Sequence, residues 1–299
     1  MSKIDFSKIA TEYEECATVQ KSASEILLKL LRIGDNDDVL DLGCGTGHLT
    51  KKIRSLTNGK VVGVDPSEGM IKEAVEKSKG LDIVYEIKSA EGMDYKESFD
   101  VIFCNSAFQW FKDPAKAIKN CYRALRRNGR IGIQAPAKRI YCPNFIEAIE
   151  MVKRDKRTKE IFAHFKEPWF FLETAEEYKS LFEKCGFKVV FSKIETVTTV
   201  HTLEEVFKIF SSGAIAGYLN QDYYDTELTE DYISAFKEIV KKAFEQQSNE
   251  NGMVKLKFNR IFLIAVKEQW QRQITRTYRF ATLRPNSAKP NFVCPQNVK

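Results

Sequence analysis

Apolar residues fall in short runs through the middle of the chain, with helical spacing between the runs. Val39, Leu40 and Leu42 make the first run, and others follow at 61–65, 82–87, 99–104 and 130–135. Between them, residues 48–57, 67–79 and 114–128 carry apolar positions at helical period. Asp113-Pro114 reads as the cap and first position of the third of these helices, and Asn128-Gly129 as its close. Strand and helix therefore alternate, which predicts a twisted, largely parallel sheet covered on both faces. Two later strand-like runs, 187–191 and 254–266, bring the expected sheet to seven strands.

Three segments stand outside this alternation. Residues 1–36 precede the first strand and read as two helices, one with Ile4, Phe6, Ile9, Ala10 and Tyr13 on a face, the other with Ile26, Leu27, Leu30 and Leu31. Residues 136–173 are helical and aromatic, and too long for an ordinary connection, so they read as an inserted cap; 201–250 form a second excursion. The strand-bearing core, 37–135, resumes over 174–200, where Thr174 and Glu177 have capping-box spacing and Gly186 closes the helix, and again over 251–268. Residues 269–299 lose periodicity and read as a basic tail.

That tail changes the meaning of the net charge. It holds Arg272, Arg276, Arg279, Arg284, Lys289 and Lys299 and no acid, so the formal +6 leaves a body with 41 basic and 41 acidic residues. A neutral body argues against a duplex-binding surface, and no nucleic-acid partner is expected. The seven cysteines are scattered without a Cys-x-x-Cys pair, as in a reducing compartment. No apolar run has the length of a membrane span or of a signal peptide, and the expectation is a cytoplasmic protein without a membrane partner. Oligomeric state is left open.

The chemistry concentrates where the first strand meets its helix, in Asp41-Leu42-Gly43-Cys44-Gly45-Thr46-Gly47. A phosphate-cradling loop needs Lys-Ser/Thr after its last glycine, and here His48-Leu49-Thr50 follows. The dinucleotide fingerprint would require glycine where His48 stands. An acid two residues before the first glycine repels a pyrophosphate but suits a ligand with a primary ammonium group. Asp65 ends the second strand, before Pro66, where a carboxylate can accept from ribose hydroxyls. A nucleoside with an amino-acid tail satisfies both, and S-adenosylmethionine is such a molecule. Cys44 reads as a small turn residue rather than a nucleophile.

On these residues the stretch 37–135 resembles the class I S-adenosylmethionine-dependent methyltransferases, which implies a Rossmann-like α/β fold, doubly wound, with a mostly parallel seven-stranded sheet and helical cap insertions. The resemblance implies that Asp41, Gly43, Cys44, Gly45 and Gly47 hold the methionine part and Asp65 the ribose. Pro66, Met70, Ser89, Ala90, Glu91 and Asn105 complete the implied cofactor set, with Ser89, Ala90 and Glu91 beside adenine, and Tyr13 closes over the cofactor. Many members carry an acid where Ser89 stands. No metal site is expected.

The acceptor is written less locally. The stretch 104–110 lacks the Asn/Asp-Pro-Pro-Tyr/Phe pattern associated with amine or base methylation, and His164 and His201 lie in the cap regions, so no general base is evident. A carboxylate needs none, being ionised already; it needs orientation and desolvation. Val19-Gln20, Gln109-Trp110, the two excursions and the ending over 257–265 together resemble the trans-aconitate and juvenile-hormone-acid methyltransferases. That resemblance implies that Gln20 and Trp110 grip the carboxylate of a small-molecule acid. The cap aromatics fit an apolar tail on that acid; a polyanion would instead draw on Lys138, Arg139 or Arg260. A hydroxyl or amine acceptor, a nucleic-acid methyltransferase using the tail, and a binding protein without turnover stay open at this point.

Overall fold

The computed structural model describes residues 18–268. Tyr13 and the tail over 269–299 lie outside the described residues.

Strand β1 (Val39–Leu42) is buried along its whole length. It pairs in parallel with β2 (Val61–Asp65) on one side and with β4 (Phe99–Asn105) on the other. Strand β3 (Val84–Ile87) extends the sheet beyond β2, and β5 (Leu125–Pro136) extends it beyond β4. The order β3-β2-β1-β4-β5-β7-β6 reverses direction at β1, and open sheets of this kind bind ligands at the carboxyl ends of the strands flanking that switch. The sheet is mixed rather than parallel throughout: β7 (Met253–Val266) runs antiparallel to both β5 and β6 (Lys188–Thr202).

Side-chain alternation explains the layers. Leu40, Leu42 and Ile102 point into one apolar cluster with Ile118 of α4 (Pro114–Ala124) and Tyr178 and Phe182 of α7 (Ala175–Lys184). Val39, Val101 and Phe103 point the other way, onto Leu27 and Leu31 of α1 (Thr18–Leu31). Helices α2 (His48–Arg54) and α3 (Glu68–Lys77) follow β1 and β2, the latter capped by Ser67 Oγ, which accepts from Met70 N.

Two boundaries differ from the sequence reading for identifiable reasons. Helix α4 ends at Ala124 and β5 begins at once, so Asn128-Gly129 is a turn within β5 rather than a helix close. Asn128 has φ 63, and its N–H donates to Lys267 O; Arg126, which a longer helix would carry elsewhere, bridges Asp38 and Asp100 at 2.7 Å each. The strand expected over 187–191 continues to Thr202, because β7 pairs with it along the β-branched stretch as far as Thr202↔Met253.

The two excursions form one body. Helices α5 (Pro143–Arg154) and α6 (Lys159–Phe162) come from the first; α8 (Leu203–Gly213), α9 (Ile215–Tyr218) and α10 (Glu230–Gln246) come from the second. In the second excursion Ala214 separates α8 from α9. The shared core of the two excursions joins Phe145, Phe210, Phe236 and Phe244 to Val254 and Leu256 of β7, with the Phe145 and Phe210 rings edge-to-face at 5.0 Å. The distal halves of β6 and β7 carry this body beside the carboxyl ends of the strands.

Candidate functional site

The backbone leaving β1 turns left-handed three times, at Gly43 (φ 78), Gly45 (φ 53) and Gly47 (φ 77), conformations that side chains disfavour. Space separates their roles. A Cβ on Gly43 would stand 2.3 Å from Ala107 Cβ, and one on Gly47 2.4 Å from Tyr85 Oη, so those two glycines admit protein neighbours. A Cβ on Gly45 would meet nothing within 4 Å, so the turn's open face lies there.

Two carboxylates stand at that open face. Asp41, 2% exposed, accepts from Thr50 Oγ1 at 2.6 Å. Asp65 accepts from Gly45 N at 3.1 Å and from Ser67 N at 2.9 Å, tying the end of β2 to the glycine turn. Burial pushes the Asp41 carboxyl up to about 7, opposed by the Thr50 hydrogen bond and reinforced by the charge of Asp65. Burial likewise raises Asp65 to about 6, against the backbone N–H groups of Ser67 and Gly45. Cys44 is a turn residue: burial holds its thiol well above its usual value, which disfavours a thiolate.

These raised values fix a sign for stability. An unfolded aspartate releases its proton at about 3.9. Between that pH and the native values of about 6 and 7, the folded chain holds protons that the unfolded chain has lost. The contribution is therefore present at low pH and lost as pH rises through the native values. Thermal unfolding followed across this window should show the ligand-free protein losing stability with rising pH, and Asp41→Asn should flatten the curve. Parallel curves for the two proteins would contradict the assignment.

A single cavity of about 830 Å³ begins at this face and runs toward the cap. Asp41, Gly43, Cys44, Gly45, Asp65, Pro66, Met70, Ser89, Ala90, Glu91, Asn105 and Trp110 all border it. Gly47 does not, since its open side is taken by Tyr85. Glu91 is already engaged: its carboxylate accepts from Lys112 N at 2.8 Å and Asp113 N at 3.2 Å. Ala23 and Ser24 of α1 border the cavity, and position 20 lies on their helix face by spacing, although the Gln20 side chain is outside the described residues.

The far end is built by the turn after β4. Ser106 has φ 56 and is held to β5, its N–H donating to Gln134 O at 2.7 Å. Gln109 Nε2 donates to Ser106 O at 2.8 Å, while Gln109 Oε1 and Asn105 Oδ1 are buried without a hydrogen-bond partner. Trp110 follows on a short 3-10 turn, its ring 5.6 Å from that of Trp169. Tyr141, Phe145, Phe171, Ile209 and Phe258 furnish an apolar wall from the cap side.

Arg260 borders the cavity but is 5% exposed and ion-paired with Glu195 at 2.8 Å; Lys138 and Arg139 do not border it. His48, at the start of α2, does border it, so an imidazole stands at the glycine end that the sequence reading did not weigh. Its position directly after Gly47 was the available signal. Gln134, Ser106 and Tyr223 are among the wall residues that nothing in the local sequence marks, whereas Trp169 is one of the aromatics of the first excursion. Among the described residues no cluster of His, Cys, Asp and Glu could hold a metal ion, and no helix is long and apolar enough to cross a membrane.

A family model described as a methyltransferase domain matches residues 33–186. The malonyl-[acyl-carrier protein] O-methyltransferase of Hahella chejuensis is 34% identical over 128 residues, which cover 42% of this chain and 46% of that protein. The chain thus spans about half the length of that relative. An uncharacterized methyltransferase of Schizosaccharomyces pombe is 30% identical over 191 residues, 60% of this chain and 70% of that protein. Among solved structures, phosphoethanolamine N-methyltransferase 2 of Haemonchus contortus in complex with S-adenosyl-L-methionine shares the fold, with TM-score 0.53, 19% identity and coverage of 87% and 57% of the two chains.

Proposed function

Since this chain belongs to the methyltransferase domain family and takes S-adenosylmethionine as its cofactor, we propose that it methylates the carboxylate of a small acid. The observation that carries the reading is the continuity of one cavity from Asp41 and Asp65 to Trp110. The open face of Gly45 and the two carboxylates beside it fit the cofactor's polar half: Asp41 for the ammonium group, Asp65 for the ribose. Met70, Ser89 and Ala90 would border the base, with Glu91 contributing main chain because its carboxylate is spent on Lys112 and Asp113.

When bound, S-adenosylmethionine supplies an electrophilic methyl group, so that a carboxylate oxygen forms the new O–C bond as the S–C bond breaks, leaving S-adenosylhomocysteine and a methyl ester. No proton is moved, and the protein's work is alignment and water exclusion. Trp110 Nε1–H and the Gln20 amide are the proposed donors to the carboxylate; both orient without protonating it. The cap aromatics exclude water and receive the rest of the acid, which we place in the apolar rather than the polyanionic class because the charge of Arg260 is met by Glu195. The name of the Hahella relative supports the acceptor chemistry, since a malonyl thioester carries one free carboxylate.

A second reading, methylation of a hydroxyl or amine, is favoured by Gln109 Oε1 and Asn105 Oδ1, buried acceptors that would suit an O–H or N–H donor. A panel of acids, alcohols and amines incubated with S-adenosylmethionine separates the two. Methyl esters alone support the carboxylate; ethers or methylamines without esters move the acceptor to the second class.

A further inference from the structure

We propose that Gly217 is a positioning residue that sets the length of acceptor the cavity admits, acting through the indole of Trp169. The proposal rests on the acceptor lying at the Trp110 end, as argued above.

Gly217 lies in α9, and its φ is not left-handed, so the backbone there does not call for glycine. Glycine is in fact a poor choice at a helical position, where alanine is more favourable by about 1 kcal/mol. Space supplies the reason. A Cβ on Gly217 would stand 2.2 Å from Trp169 Cζ2 and 2.8 Å from Cη2, so the outer edge of the indole lies directly on the helix backbone.

Trp169 is held on its other sides as well. Its ring is 4.9 Å from Tyr218 and 5.6 Å from Trp110, and the next residue, Phe170, donates its N–H to Gln109 O at 2.8 Å. The segment is thus anchored to the turn that carries Trp110, while the ring edge rests on the cap. An indole displaced from Gly217 meets Tyr218, Trp110 and Phe165, and its open side is the cavity that Trp169 borders. The missing side chain at 217 therefore keeps the indole out of the acceptor's path, and the residue controls depth without touching the acceptor.

The test uses the full chain saturated with S-adenosylhomocysteine and measures calorimetric affinity for straight-chain carboxylic acids and the matching primary alcohols of increasing length. In the wild type, affinity should rise roughly fourfold per buried methylene and then break where the chain reaches the wall. Gly217→Ala should move the break to shorter chains and weaken the longest accepted acid roughly tenfold, with the shortest acids unaffected. Trp169→Phe should move it to longer chains, and the double variant should move the Gly217→Ala break back, a rescue that general damage to the cap would not produce.

Should Gly217→Ala fail to bind S-adenosylhomocysteine, the Trp169→Phe break decides alone. A length-independent series, a break that stays in place in the variants that bind S-adenosylhomocysteine, or a double variant without rescue overturns the proposal. Alcohols binding as tightly as acids, with the breaks still shifting, would contradict the carboxylate reading and leave the role of Gly217 standing.

Discussion

Asp65→Ala is expected to weaken S-adenosylhomocysteine binding by at least about a hundredfold in calorimetry, because it removes the proposed ribose acceptor at the end of β2. The same carboxylate accepts from Gly45 N and Ser67 N, so the substitution also releases the glycine turn from the strand that positions it. Both effects act at the cofactor end of the cavity. Asp65→Asn keeps one carbonyl oxygen and should fall between wild type and the alanine variant. Retained affinity in the alanine variant, with an unchanged circular dichroism spectrum, would show that the ribose binds elsewhere.

The second large effect concerns rate rather than cofactor affinity. Gln20→Ala combined with Trp110→Phe removes both proposed donors to the acceptor carboxylate and should lower kcat by about a hundredfold, the scale on which a reacting group misplaced by about an ångström slows a step that depends on alignment. Trp110 borders the acceptor end of the cavity and packs on Trp169, and phenylalanine keeps a ring there while deleting the N–H. Calorimetric affinity for S-adenosylhomocysteine should stay nearly unchanged, since neither donor is assigned to the cofactor. An unchanged kcat would remove the clamp from the mechanism.

These expectations differ in how directly the chain announces them. Asp41, Gly43 and Gly45 are neighbours on one strand-to-turn segment, and Asp65 ends the next strand, so spacing alone brings them together once β1 and β2 pair in parallel. Gly47 belongs to the same written motif, yet its open side is filled by Tyr85, which arrives from β3 through sheet pairing that no local pattern encodes. Arg260 read as a cation for a polyanionic acid because its partner was invisible: Glu195 faces it only through the long register of β6 on β7, beyond where the apolar run at 187–191 stops. The Asn128-Gly129 pair has the composition of a helix close and serves as a turn within β5, since Arg126 is held by Asp38 and Asp100. The acceptor end is assembled from a turn, two excursions and α1, so its shape depends on long-range packing: the sequence marks Trp169 only as one more aromatic of the first excursion, and Gly217 carries no local signature.

The central claim is that the methyl group passes to a carboxylate. It is tested most directly by incubating the full chain with S-adenosylmethionine labelled in its methyl group and a set of acids bearing apolar chains, then treating the product with mild base. The account predicts label released as methanol, the behaviour of a methyl ester, in amounts matching the S-adenosylhomocysteine formed. Label that remains on the product through base treatment, as in an ether or a methylamine, would contradict it.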